Sequence, residues 1–147
     1  MKKILFSSLI AAFLFGCMSI NAQQQQQQPV KKNGSAKFVT DTHDFGNVNE
    51  SGGLVSFVFE FTNVGTDPLV LKNVQASCGC TTPDWPREPI LPGKKGIIKV
   101  TYNPSGRPGS FDKTITVYSD GTPDTQMLKI KGYVVTKPAV ADTMKKK

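Results

Sequence analysis

The residue types best suited to chemistry in this chain are two cysteines, Cys78 and Cys80, which are separated only by Gly79. A disulfide needs Cα atoms roughly 4.4 to 6.8 Å apart, and a bend at glycine brings positions i and i+2 into that window. A ring this small is expected to be strained, and strained, exposed disulfides are readily reduced. The spacing predicts a short structural clip, or two small buried apolar side chains, with a thiol–disulfide redox site as the alternative.

A metal is the other ligand that two thiolates could bind. Cysteines in C-x-C spacing suit a soft ion such as Cu(I). A tetrahedral zinc site would need two further ligands, and the chain offers one histidine, His43, besides carboxylates. That residue is more typical of a surface or strand-end histidine hydrogen-bonded to its surroundings. The sequence therefore predicts no metal site and no cofactor, and Cu(I) binding is kept only as an alternative.

A proline-rich segment follows the cysteines. Its prolines recur at every third position, the period of a polyproline II helix: Pro83, Pro86, Pro89 and Pro92. Such a helix would present Trp85 and Arg87 away from the prolines, and an exposed Trp beside Arg is typical of an interaction hot spot. We favour instead a stiff crossover between two sheets with Trp85 folded back over the core, because tryptophan is mostly buried on average.

The elements that must position these residues are β-strands. Between residues 54 and 62, Val55, Phe57, Phe59 and Phe61 share one face, and residues such as Glu60 occupy the other. Further strands are predicted over residues 37–40, 44–48, 69–74, 97–102, 111–119 and 127–135, separated by Gly and Pro turns. No helical period of adequate length is present. The pattern predicts an all-β fold, an immunoglobulin-like antiparallel β-sandwich of about seven strands.

The inward faces of these strands predict the core. Its members are Phe57, Phe59, Phe61, Leu69, Leu71, Ile98, Val100, Ile115, Val117, Leu128 and Ile130. Glu60 lies on the opposite face of its strand, so we expect it at the surface.

The first 22 residues have the organisation of a secretory signal peptide. Two lysines precede an apolar run over residues 4–15, and Ala22 precedes Gln23. We predict cleavage after Ala22. Alternatively, Leu14-Phe15-Gly16-Cys17 resembles a lipobox, in which Cys17 is lipidated and anchors a lipoprotein. Either way the protein is exported, to the periplasm or the extracellular space, and no later stretch approaches the roughly 18 apolar residues of a transmembrane segment.

Two polar segments flank the predicted domain. Residues 23–36 begin with six glutamines and form a Gln-rich linker, and residues 136–147 end in three lysines. Neither segment holds enough apolar area to offset the entropy of ordering it, so both are predicted to be disordered. The β-sandwich domain is therefore assigned to residues 37–135.

The charge of the chain gives no support to nucleic-acid binding. The net charge of +7 comes from 18 basic and 11 acidic residues, but residues 37–135 hold ten of each. A neutral domain lacks the basic face that phosphate neutralisation requires. The chain also lacks the glycine-rich phosphate-binding motifs G-x-x-x-x-G-K-S/T and G-x-G-x-x-G.

Several motifs resemble a known family. They are Phe45-Gly46-Asn47-Val48, Phe57-Val58-Phe59-Glu60-Phe61-Thr62-Asn63-Val64-Gly65, Pro68-Leu69, Ser77-Cys78-Gly79-Cys80-Thr81 and Leu91-Pro92-Gly93. Together they resemble the exported bacterial domain of unknown function 1573. The resemblance implies an immunoglobulin-like sandwich related to the Hydin and major-sperm-protein domains. It brings no activity, substrate or catalytic residue.

The main functional prediction is an exported, noncatalytic interaction or structural module of the cell envelope. A sandwich offers edge strands and end loops to a protein partner or envelope component, and strand addition needs only main-chain hydrogen bonds. A thiol–disulfide redox protein that uses Cys78 and Cys80 is the alternative. The sequence places no histidine beside this pair, and no thioredoxin-like order of helices and strands, to stabilise a thiolate.

Overall fold

The computed structural model describes residues 33–136 and contains only β-strands there. In chain order they are β1 (Ala36–Phe38), β2 (Thr42–Asn49), β3 (Val55–Asn63), β4 (Leu71–Ala76), β5 (Thr81–Asp84), β6 (Lys95–Tyr102), β7 (Gly109–Ser119) and β8 (Thr125–Val135). Within these residues no helix has the length and apolar character needed to cross a membrane. The predicted signal peptide with Cys17, most of the Gln-rich linker and most of the basic tail lie outside the described residues.

The strands form two four-stranded sheets, ordered β1-β3-β6-β5 and β2-β8-β7-β4. The first order is that of strands A-B-E-D of an immunoglobulin sandwich, and β4, β7 and β8 take the places of C, F and G. The all-β sandwich prediction is confirmed, with eight strands instead of about seven. The relation to immunoglobulin-like, Hydin and major-sperm-protein domains stays a prediction.

One strand pair departs from the predicted antiparallel arrangement. Strands β2 and β8 pair in parallel, with Thr42 opposite Lys129 and Asn49 opposite Val135. The link from β1 to β2 is residues 39–41, which carry the chain from the first sheet to the second.

Side chains from both sheets meet in one apolar core. All predicted core residues are buried except Phe57, which is half-buried and packs against the others. The structure adds Tyr102, Phe111 and Val134, each of which faces inward from the end of a strand. Glu60 is exposed, as its place on the opposite face of β3 predicts.

The polyproline interpretation is wrong for Thr81–Asp84, which form strand β5 against β6 with Pro83 opposite Val100. Strand β5 is the edge of its sheet. Proline is tolerated there because an edge strand has one side without a ladder partner, so the missing N–H costs no sheet hydrogen bond. The three-residue spacing of the prolines therefore led to a polyproline II prediction where the chain forms a short strand.

A fully buried amide holds the turn that follows β3. The side-chain oxygen of Asn63 accepts hydrogen bonds from the backbone N–H groups of Ser35 at 3.1 Å and Gly65 at 3.0 Å. Its side-chain nitrogen donates to the carbonyls of Asp67 and Ile90, both at 2.8 Å. The amide therefore joins the chain before β1, the turn after β3 and the segment before β6.

Candidate functional site

The two cysteines lie in the crossover that carries the chain from β4 in one sheet to β5 in the other. A disulfide joins them, with the Cα atoms 5.3 Å apart. Cys80 is 8% exposed, whereas Cys78 is only partly buried. The crossover therefore presents the two sulfurs unequally to solvent, with Cys78 on the accessible side.

A threonine hydroxyl lies against both sulfurs. Thr81 Oγ1 is 3.6 Å from Cys78 Sγ and 3.8 Å from Cys80 Sγ, and Thr81 itself is 4% exposed. Its backbone N–H donates to the Cys78 carbonyl at 3.3 Å, which closes the turn. The Ser-Cys-Gly-Cys-Thr block contains this residue, but sequence reasoning assigned it no role.

Hydrogen bonds from both sheets fix the crossover. The Ser77 N–H donates to the Thr114 carbonyl at 2.9 Å, and the Thr114 N–H donates to Ser77 Oγ at 3.2 Å. On the other side, the Asn103 N–H donates to the Cys80 carbonyl at 2.9 Å. The cysteines are thus held between β7 and the loop after β6.

The loop after β6, which bonds Cys80, contains a cationic residue. Arg107 belongs to the loop that bonds Cys80, and its guanidinium donates to the Ser105 carbonyl at 2.7 Å. The Arg107 charge acts to lower the pKa of Tyr102, although burial, the larger effect, raises that pKa overall. Tyr102 is the cross-strand partner of Thr81. The Arg107 charge therefore acts on the residue that pairs with Thr81.

His43 takes part in aromatic packing at the rim of the core. Its ring stacks on Phe57 with centroids 3.6 Å apart and meets the Phe45 ring edge-on at 4.5 Å. Burial lowers the pKa of His43, and the Asp44 carboxylate partly opposes that shift. Within residues 33–136, no group of three or more His, Cys, Asp or Glu side chains is placed to hold a metal ion.

Trp85 and Arg87 lie together just after β5. Trp85 is half-buried and packs against the core, as the crossover prediction expected. The Arg87 guanidinium carbon is 3.6 Å from the centroid of the indole ring, a cation–π contact. A groove of about 330 Å³ beside the indole is also lined by Ile97 and Lys99. The role of the pair as an interaction hot spot stays a prediction.

A larger groove, of about 750 Å³, lies at the opposite edge of the first sheet, beside β1. We call it the β1 groove; it is lined by residues 35–41, 64 and 126–128. Its most exposed apolar side chains are Val39 at 79%, Met127 at 64% and Val64 at 56%. Sequence reasoning expected edge strands to bind a partner but did not locate this groove, because its walls come from both ends of the domain.

Two strand edges border the β1 groove. On β1, the Ser35 carbonyl accepts a hydrogen bond from the β3 side and the Val39 N–H donates one to it. Because alternate residues of an antiparallel strand bond the same neighbour, the N–H and C=O of Phe38 face away from β3. Strand β2 reaches β8 only from Lys129 onward, which leaves Gln126–Leu128 without a strand on that side within the described chain. The groove thus combines unpaired main-chain groups with exposed apolar side chains.

A family described as "Protein of unknown function (DUF1573)" matches residues 36–134. No curated protein matches this chain significantly. A solved protein of unknown function from Porphyromonas gingivalis W83 is similar with a TM-score of 0.62 and 19% identity, over 75% of this chain and 51% of that one.

Two proteases of Vibrio cholerae contain a similar fold. VesB matches with a TM-score of 0.53 and 10% identity, over 67% of this chain and 31% of that one. The secreted serine protease VesC matches with a TM-score of 0.51 and 14% identity, over 69% and 23%. This chain spans about half the length of the Porphyromonas protein and a third or less of the length of the two proteases. Because all three identities are below 20%, the similarity concerns the fold alone.

Proposed function

This chain belongs to the DUF1573 family of proteins of unknown function, and we propose that its domain is an exported, noncatalytic binding module of the cell envelope. The observation that carries the proposal is the β1 groove, where an unpaired strand edge lies beside exposed apolar side chains. Edge strands of this kind are templates for pairing with another chain. The occupant we propose is an extended segment of an envelope protein.

The groove suits such a segment for two reasons. The outward N–H and C=O groups of Phe38 supply main-chain hydrogen bonds, which bind a strand without regard to its sequence. Val39, Val64 and Met127 surround this edge with apolar surface that a partner's alternate side chains would cover. A strand with apolar residues at every second position meets both requirements.

A photo-crosslinking amino acid placed at Met127 should capture the partner in intact cells. Leu54 is the matched control, because it is 65% exposed against 64% for Met127 and lies outside the groove. We expect crosslinking from Met127 and not from Leu54, with the captured partner residues in one extended segment. Val39→Asp should weaken capture about tenfold or more, because it places a charge against apolar surface.

The crosslinking experiment can also contradict the proposal. Equal capture at Met127 and Leu54 would show that contact is nonspecific, and capture that survives Val39→Asp would show that the groove is not the interface. Leu54→Asp should leave capture at Met127 unchanged.

Export is tested separately from binding. We expect the mature chain to begin at Gln23 and to be recovered from the periplasm or the medium, because a basic start and an apolar run precede Ala22. N-terminal sequencing and intact mass of the purified protein measure the cleavage site. A lipidated Cys17 would change the site and the anchoring, and an uncleaved cytoplasmic product would contradict export itself.

A further inference from the structure

The Cys78–Cys80 disulfide has the asymmetry that directed thiol exchange requires. Cys78 is partly exposed and Cys80 is buried at 8% exposure, so an external thiolate reaches the Cys78 sulfur more easily. Which sulfur is attacked decides which one leaves. Attack at Cys78 makes Cys80 the leaving thiolate.

A hydrogen-bond donor lies near both sulfurs, including the leaving one. Thr81 Oγ1 is 3.8 Å from Cys80 Sγ and 3.6 Å from Cys78 Sγ, and Thr81 is itself almost fully buried. A hydroxyl rotates freely to aim its proton, and hydrogen bonds to a charged acceptor are about twice as strong as neutral ones. The Thr81 hydroxyl is therefore placed to stabilise Cys80 as it becomes negative.

We expect the fold around the pair to survive loss of the disulfide. Only Gly79 separates the cysteines, so the bond removes little loop entropy from the unfolded chain. Ser77 is bonded to β7 and Cys80 to the loop after β6, and both contacts are main-chain hydrogen bonds. The reduced crossover would keep its place.

We propose that the Cys78–Cys80 disulfide is a reducible centre that exchanges with an external dithiol through attack at Cys78, with Cys80 as leaving group and Thr81 as its hydrogen-bond donor. The first thiolate of the dithiol bonds Cys78 Sγ, and the electron pair of the broken S–S bond goes to Cys80 Sγ. The second thiolate then releases Cys78. The dithiol loses two electrons and becomes a disulfide, while the two cysteines take up two protons.

This chemistry is independent of partner binding in the β1 groove. Strand β1 is one edge of its sheet, and the crossover leads into β5 at the other edge. Val39→Asp should therefore leave thiol exchange unchanged, and loss of exchange should leave crosslinking at Met127 unchanged. The two proposals can fail separately.

The rate at which dithiothreitol reduces the disulfide in the folded protein tests this proposal directly. The full chain carries Cys17→Ser so that only two thiols remain, and alkylation followed by intact mass counts them over time. We expect two alkylations after reduction with an unchanged circular dichroism spectrum. Thr81→Val should slow reduction about tenfold, and Thr81→Ser, which keeps the hydroxyl, should stay within about twofold. Thr82→Val, at the exposed neighbour on β5, is the matched control.

Single-cysteine variants test the direction of attack. In the folded protein, Cys78 of the Cys80→Ser variant should react with 5,5′-dithiobis(2-nitrobenzoate) at least about tenfold faster than Cys80 of the Cys78→Ser variant, with equal rates in concentrated urea. This comparison decides the direction even if Thr81→Val fails to fold. Equal rates in the folded state, reduction only on unfolding, or an unchanged rate in folded Thr81→Val would overturn the proposal.

Discussion

Replacing Asn63 with alanine should lower the free energy of unfolding by about 4 kcal/mol, because three backbone groups lose their partner at once and each group left buried costs roughly 1 to 3 kcal/mol. The Ile90 carbonyl, the fourth partner of the amide, still accepts from the Leu69 N–H. Asn63 is 0% exposed, and its amide accepts from Ser35 and Gly65 and donates to Asp67 and Ile90. Urea unfolding, followed through the fluorescence of the only tryptophan, Trp85, measures the loss.

Two further variants separate hydrogen bonding from loss of volume. Asn63→Asp keeps the side-chain volume and the acceptor but removes both donated bonds, so we expect it to lose stability as well. Asn47→Ala removes an exposed amide from β2 and should change the free energy of unfolding by less than about 0.5 kcal/mol. A small effect of Asn63→Ala, comparable with that of Asn47→Ala, would contradict the role assigned to this amide.

Replacing Phe59 with alanine should cost about 3 to 5 kcal/mol, the usual loss when a buried aromatic ring leaves a cavity. The ring is 0% exposed and meets the Phe57 ring edge-on at 4.9 Å. Such a loss is a large share of the roughly 5 to 15 kcal/mol that stabilises a typical domain. The same urea titration measures it.

The neighbouring residue is the control for Phe59. Glu60→Ala changes the outward face of β3, where the side chain is exposed, and should have little effect. Equal losses for the two variants would mean that the faces of this strand are assigned wrongly.

The alternation of apolar and polar residues along each segment was enough to predict most of the strands. The alternation over residues 54–62 predicted both β3 and its buried face, and Phe59 and Phe61 are fully buried. The prediction failed at β5, because the regular proline spacing indicated a polyproline II helix and outweighed two β-branched threonines, which favour a strand. An edge strand tolerates Pro83 because of its position in the sheet, and that position is not visible in the segment itself.

The sequence by itself determined the all-β class, most strands, the inward faces and a Cys pair close enough to bond, because side-chain alternation and the reach of a three-residue segment are local properties. Only the tertiary structure decided that Asn63 joins three segments, that Thr81 faces both sulfurs, and that the edges of β1 and β8 border one groove. These features depend on how strands distant in sequence are ordered and how deeply each side chain is buried. Local periodicity specifies neither, because both follow from the packing of the two sheets against each other.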